Sequence, residues 1–273
     1  MSQPSLSTLS LSLDRGVAEV RLDRPDKSNA MTDAMWLEIR QAFAWVDATP
    51  EVRVAILAGA GRNFCAGIDL ALLADIQRRT AHPDGARSRE ALRRLILDMQ
   101  DCLTSLERCR KPVLAAIQGA CIGGAIDLVT CCDMRYAAAD AVFSVREIDV
   151  GLVADVGTLQ RLPRLVPEGI ARELAFTGRN FLADEGQRIG LINRVFASPE
   201  ALTATVRELA QAIAAKSPLA TRGIKEVMNY SRDHTVADGL TFVAAWNASM
   251  LLSADLDEAI TAQREKRPPR FAD

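Results

Sequence analysis

Histidine is scarce in this chain of 273 residues, with only His82 and His234. Its six cysteines, at 65, 102, 109, 121, 131 and 132, form no C-x-x-C pair. These shortages leave no recognisable ligand spacing for zinc, and no metal is expected. Several cysteines sit inside apolar runs, where a free thiol packs as a small hydrophobe, so reduced thiols in a reducing compartment are expected. No apolar run reaches the roughly 18 residues of a membrane span. An excess of charge is also missing: 33 Lys+Arg stand against 35 Asp+Glu, a formal balance of -2. Nucleic acid and anionic membrane surfaces call for a basic excess, so neither is expected as a partner. The most basic stretch, Arg78 to Lys111, is interrupted by Asp84, Glu90, Asp98, Asp101 and Glu107 and reads as a solvated helix face. Met1 to Ser10 has no basic residue and no apolar core, and Arg270-Phe271-Ala272-Asp273 is not a peroxisomal Ser-Lys-Leu address. A cytoplasmic location is the expectation.

What is present suits a large buried core, since 49% of the residues are hydrophobic. Val17 to Leu22 alternates apolar with polar and stops at Arg24-Pro25, which predicts a strand and its exit. Thr32-Asp33 can cap a helix running to about Asp47, with Trp36, Ile39, Phe43 and Val46 on one face. Val52 to Ala58 has the pattern of a buried strand ending at Gly59. A helix is expected over Leu92 to Cys109, then short strands at Val113 to Ile117, Met134 to Ala137 and Val142-Phe143. Strand–turn–helix repetition of this kind predicts an α/β fold, although no fixed-period sequence repeat is visible. From about Ala201 the chain turns helical, through Ala201–Lys216, Ala220–Met228, Val236–Leu252 and Asp255–Glu265. The expected division is an α/β core over 1–200 and a helical C-terminal lobe over 201–273.

Two glycine turns follow strands. The first, Gly59-Ala60-Gly61-Arg62-Asn63-Phe64, fails as a dinucleotide fingerprint because Phe64 stands where the third glycine belongs. Gly67, in Phe64-Cys65-Ala66-Gly67-Ile68-Asp69-Leu70, permits tight backbone geometry that leaves following amides free to point at a ligand. The second turn runs from Lys111-Pro112-Val113 through Gly123-Gly124 into Ala125-Ile126-Asp127-Leu128. Glycines at a helix start expose unpaired N–H groups where the helix dipole is positive, which suits an oxyanion. One donor from each turn would form a two-donor oxyanion hole. Three acids follow: Asp127 inside the glycine-started helix, Glu147, and Asp155 flanked by apolar residues and glycines. Lone acids in apolar settings tend to have raised pKa values, as acid/base catalysts need. Each also has a plainer reading, Asp127 as a local cap or pair and the others as surface acids. Position alone does not choose.

The two glycine segments resemble the signature loops of the crotonase (enoyl-CoA hydratase/isomerase) superfamily. Arg24-Pro25-Asp26-Lys27-Ser28-Asn29-Ala30-Met31 looks like that family's coenzyme A-contacting first loop. Gly157-Thr158-Leu159-Gln160-Arg161-Leu162-Pro163 and Ala183-Asp184-Glu185-Gly186 to Gly190-Leu191-Ile192-Asn193 resemble later family blocks, in the right order. The resemblance implies a crotonase-like ββα spiral core whose helical C-terminal lobe assembles homotrimers or dimers of trimers. It implies an acyl-CoA substrate, with coenzyme A part of that substrate, no metal or redox cofactor, and a place in fatty acid beta-oxidation. The oxyanion-hole donors carry over to the N–H groups of Ile68 and Gly124. Substrate contacts carry over to Lys27, Ser28, Ala30, Ala66, Gly67, Ile68, Asp69, Leu70 and Gly124. Lys225 falls in a segment resembling a CoA-proximal helix.

Hydratases of this superfamily carry glutamate at the positions of both Asp127 and Glu147, and tend to have a small residue where Asp155 stands. Asp127, Glu147 and Asp155 together resemble the dienoyl-CoA isomerases. The implied roles are Asp155 as base at C2, Glu147 as proton donor at C6, and Asp127 as a polar partner tuning Glu147. An enoyl-CoA hydratase or a Δ3,Δ2-enoyl-CoA isomerase is the alternative. An RNA-binding crotonase-like protein would want a lysine-rich helix, which the acid-interrupted stretch over 78–111 does not supply.

Overall fold

The alternating residues that predict the first strand form β2 (Val17–Leu22), paired antiparallel with β1 (Leu9–Asp14). The structure, a computed structural model, describes residues 2–272. Beyond β2 the chain makes a single 3-10 turn at Pro25–Lys27 and passes through Ser28 and Asn29, both left-handed, with φ 49° and 55°. The Thr32 hydroxyl accepts the Met35 N–H and starts α1 (Asp33–Ala48), which buries Trp36, Ile39, Phe43 and Val46, the expected face. Next come β3 (Val54–Gly59), α2 (Leu70–Arg79), α3 (Gly85–Arg108), β4 (Val113–Ile117), β5 (Ala120–Ile122) and α4 (Gly124–Thr130). They are followed by β6 (Met134–Ala138), β7 (Val142–Ser144), α5 (Thr158–Arg161), α6 (Glu168–Thr177), β8 (Phe181–Leu182), α7 (Ala183–Arg188) and β9 (Arg194–Phe196). Four long helices close the chain: α8 (Pro199–Ala214), α9 (Pro218–Arg232), α10 (Val236–Met250) and α11 (Ala254–Glu265).

Helix α3 begins earlier than its apolar pattern predicts, at Gly85 rather than Leu92. Asp84 accepts the Ala86 N–H at 2.8 Å and caps it, and its first turns face solvent. A helix face in water carries no apolar period, so the start is invisible to periodicity. Helix α2, absent from the expectation, starts in the same way on the Asp69 carboxylate.

The strands form a six-stranded sheet in the order β1-β2-β3-β4-β6-β9, parallel from β2 onward, and a three-stranded sheet β5-β7-β8. Isolated bridges, Cys65 with Cys121 and Met31 with Ile68, carry the small sheet's pairing onto the turns. Each coil of chain therefore places one strand in the large sheet, the next extended residues in the small one, and then a helix. The third element varies, from the four residues of α5 to the twenty-four of α3, and this hides the repeat in the sequence. This is the α/β spiral expected.

Strands β3 and β4 are buried on both faces, which explains their nearly continuous apolar runs. One face meets α1 and α3, while on the other Val54, Ile56, Leu114 and Ala116 pack against Leu202, Val206 and Ala210 of α8. All six cysteines are buried and free. Among the described residues no helix is long and apolar enough to cross a membrane.

Candidate active site

The two glycine turns meet where the sheets join. Gly67 has φ +91°, and a Cβ there would lie 2.6 Å from the Ile122 carbonyl oxygen, so both the backbone angle and the close approach demand glycine. Across the Met31–Ile68 bridge, the Met31 N–H donates to the Gly67 carbonyl at 2.8 Å and the Asp69 N–H to the Met31 carbonyl at 3.0 Å. Parallel pairing of this kind uses the residues either side of Ile68, so the Ile68 N–H faces away from the bridge. Gly124 is the first residue of α4, where no intrahelical acceptor exists. A Cβ built on Gly67 would lie 3.4 Å from the Gly124 nitrogen, and one on Gly124 would lie 3.8 Å from the Ile68 nitrogen. The structure thus brings these two amides together.

Their setting is fixed by Asn29, which is fully buried. Its side-chain oxygen accepts the Arg24 N–H at 2.8 Å, and its Nδ2 donates to the carbonyls of Ala60, Asn63 and Phe64 at 2.9, 2.8 and 3.0 Å. Ser28 adds a carbonyl that accepts the Ala66 N–H at 2.9 Å and a hydroxyl that accepts from Asn63 Nδ2 at 2.9 Å. Arg24 reaches the Ala30 carbonyl and pairs with Asp69 at 3.1 Å. Asp69 also caps α2 through the Ala71 N–H at 3.0 Å, so its carboxylate is engaged within the protein. Lys27, Ala66 and Leu70 are exposed around the same turns.

Behind the amides lie the acids. Asp127 is completely buried on α4; its Oδ1 accepts the Thr158 N–H, and its Oδ2 has no partner. Burial pushes its carboxyl up to about 7, the charge of Glu147 adds to the rise, and the Thr158 donors oppose it. Half-buried Glu147 begins the 3-10 turn after β7, with Oε2 also unpartnered and its carboxyl within reach of Asp127. Burial raises its pKa as well; the hydrogen bond with Asp127 opposes the rise and the charge of Asp155 adds to it. Asp155 stands exposed, its main-chain carbonyl accepting Gln100 Nε2 at 2.6 Å, yet enough protein surrounds its carboxyl to raise that pKa too. Three acids with raised pKa values therefore lie close enough for charge on one to act on another, and Glu147 Oε1 lies 3.4 Å from a Cβ built on Gly123, next to the Gly124 amide.

The profile of the family described as Enoyl-CoA hydratase/isomerase matches residues 12–273. This chain belongs to that family. The peroxisomal Delta(3,5)-Delta(2,4)-dienoyl-CoA isomerase of Arabidopsis thaliana is 46% identical over 276 residues, covering 100% of this chain and 99% of that protein. The human mitochondrial Delta(3,5)-Delta(2,4)-dienoyl-CoA isomerase is 44% identical, covering 94% of this chain and 78% of that protein. Among solved structures, an enoyl-CoA hydratase from Bacillus anthracis superposes with a TM-score of 0.88 at 29% identity, covering 97% of this chain and 99% of that one. The crotonase resemblance read from the two loops is thereby established.

Within this family member, sequence reasoning missed Asn29 and Thr158 as organisers of the site. Both lie inside segments that carry the resemblance, but the carbonyls that hold the Asn29 amide and the carboxylate that holds Thr158 lie more than thirty residues away, beyond any local pattern. Lys225, in the segment that resembles a CoA-proximal helix, turns its ammonium into the protein. Its Nζ is buried, paired with Asp133 at 2.8 Å and donating to the carbonyls of Leu106 and Lys111 at 3.2 and 3.1 Å. All three of its protons are engaged, so it tethers α9 to the core rather than facing a ligand. Among the described residues no group of three or more His, Cys, Asp or Glu is arranged to hold a metal ion.

Proposed function

We propose that this chain isomerises 3,5-dienoyl-CoA to 2,4-dienoyl-CoA. The observation that carries this reading is the third acid: Asp155 stands apart from the Asp127–Glu147 pair but close enough that its charge acts on both. The thioester oxygen accepts the N–H groups of Ile68 and Gly124. The Asp155 carboxylate takes a proton from C2, and the electron pair left behind spreads through the diene onto that oxygen as a dienolate. Protonated Glu147 then gives its proton to C6, leaving double bonds at C2 and C4. Substrate and product have the same composition. Asp155 ends protonated and Glu147 ionised, and exchange with solvent resets both. The two carbons are several ångströms apart, so one carboxylate cannot easily serve both, and two separate acids supply the reach. Lys27, Ser28, Ala30, Ala66, Gly67, Asp69 and Leu70 surround the thioester and coenzyme A arm in this reading, their backbones and the Lys27 cation outermost.

The Asp127–Glu147 pair also resembles the paired acids with which a hydratase holds a water, which favours hydration of 2-enoyl-CoA as the second reading. A panel of 2-enoyl, 3-enoyl and 3,5-dienoyl thioesters separates them. The 3,5-diene should gain ultraviolet absorption at longer wavelength as its double bonds conjugate with the thioester. Hydration of the 2-enoyl substrate with no spectral change on the diene would overturn the assignment.

Assembly as a trimer or a dimer of trimers is proposed on the same footing. Its support is the apolar surface on the C-terminal helices, where Val236 is 80% and Leu240 64% exposed, with Leu252 beyond them at 90%. Light scattering should give at least three times the 29.6 kDa of one chain, and a stable monomer would count against it. The relatives' names carry two different organelles, and the cytoplasmic location expected from the sequence stands as a proposal.

A further inference from the structure

Residues 153–156, which carry the acid assigned as base, are thinly held. Among the described residues, no hydrogen bond between main-chain groups reaches Val153, Ala154, Asp155 or Val156. The last before them runs from the Leu152 N–H to the Glu147 carbonyl at 3.0 Å, and the first after them from the Gln160 N–H to the Gly157 carbonyl at 3.2 Å. One side chain from elsewhere bonds to the segment: Gln100 on α3 donates from Nε2 to the Asp155 carbonyl at 2.6 Å. Four and seven residues further along the same face of α3, Thr104 and Glu107 hold the other end of the turn. Arg161 Nη2 donates to the Thr104 hydroxyl at 3.3 Å and to Glu107 Oε2 at 2.7 Å, with Nε 3.2 Å from the same oxygen. The Arg161 guanidinium lies against Gly157, where φ is +134° and a Cβ would fall 1.9 Å from Nη1. Arg232 engages the second oxygen of Glu107. Helix α3 is itself fixed here, since Leu103 and Leu106 are fully buried. One face of a rigid helix thus grips the turn at both ends.

We propose that Gln100 is a positioning residue for Asp155: by holding the main-chain carbonyl of that residue, it sets where the carboxylate meets C2 of the thioester. The proposal rests on the isomerase reading, in which Asp155 is the base. An aspartate carboxyl is one methylene from the main chain and swings only between a few staggered positions, so its place follows the backbone. Buried Ala154 and Val156 set the depth of the segment, but apolar burial is non-directional and does not orient the peptide between them. A hydrogen bond is directional and does. The choice of acceptor also suits a base. A donor on the carboxylate itself would favour the ionised form and weaken its hold on a proton. A neutral amide on the neighbouring carbonyl fixes position and leaves the carboxylate free to react. Thr104 and Glu107, acting through Arg161, do the same for Gly157, so the segment is strung between two points on α3.

Gln100→Met keeps the length of the side chain and removes the donor, while Gln100→Glu keeps the shape and, when ionised, donates nothing. With 3,5-dienoyl-CoA both should lose roughly 10-fold in kcat at unchanged KM, short of the roughly 100-fold that a full ångström of misplacement costs. A double-mutant cycle separates positioning from general support. In an Asp155→Asn background, Gln100→Met should cost nothing further, because the base it places is already gone. A residue that only supports the fold would cost the same in both backgrounds. A second readout needs no substrate. In a crystal structure of the free Met variant, the main chain of 153–156 should be displaced or show raised B-factors, while 158–161, still held through Arg161, should not. Wild-type kcat in either variant, or additive losses in the cycle, would overturn the proposal. An unmoved segment with unchanged B-factors would do so even if the diene proves not to be the substrate. Failure of the isomerase reading shows separately, as a wild type inactive on the diene.

Discussion

Asp155→Asn should lower kcat on 3,5-dienoyl-CoA by about 10²–10⁴-fold, the contribution of a positioned general base, and leave KM for the thioester nearly unchanged. Asparagine has the same shape but no basicity, and the main-chain carbonyl of residue 155 still accepts from Gln100. The side chain is exposed, so the fold has little to lose. Stopped-flow ultraviolet measurement of diene conjugation reads the chemical step directly. If the variant turns over at the wild-type rate, Asp155 is a bystander and the C2 proton is taken by another group. The pH profile gives a companion sign. Asp155 must be ionised, and its pKa is raised, so the acidic limb should lie above the ordinary aspartate range and disappear in the variant.

Gly124→Ala should be the more damaging change to the oxyanion site. The added methyl would sit 3.8 Å from the Ile68 nitrogen, in the space of an oxygen bound at about 2.9 Å from that amide. The fold should survive, because the nearest clash, 2.8 Å, is with Met31 Cε, the far end of a flexible side chain, and Gly124 does not need a positive φ. Loss of a preorganised donor to an enolate costs on the order of 10²–10³ in kcat. Gly67→Ala is a poorer probe, since φ +91° and the Ile122 carbonyl at 2.6 Å would strain the backbone and confuse stability with catalysis. Gly169→Ala, on α6 with nothing within 4 Å of the new methyl, is the matched control and should change nothing. Full activity in Gly124→Ala, with circular dichroism unaltered, would remove these amides from the mechanism.

Much of this architecture was legible because it rests on local rules. Alternation predicted β2, the Thr32 cap predicted α1, and doubly buried runs predicted β3 and β4. The start of α3 was not, because two solvent-facing turns carry no apolar period. The same limit applies to the site. Gly67 and Gly124 stand out because glycine is demanded by backbone geometry, which a sequence displays. The partners of Asn29 and Thr158 are set by how distant coils of the spiral stack, which a sequence does not display. Lys225 shows the converse: its place on a helix could be read, but the direction of its ammonium was decided by Asp133, far away in the chain.

The fourfold anchoring of Asn29 bears on the energetics of each turnover. With its amide fastened to carbonyls from the neighbouring turn, the proposed cradle for the thioester oxygen does not need to assemble around an arriving molecule. The entropy of ordering those loops is settled once, when the chain folds, so binding energy from the coenzyme A arm remains available for the strained, charge-separated species on the reaction path. An enzyme made this way should show a rigid pocket in its free form, with ligand-induced motion confined to the surfaces around it.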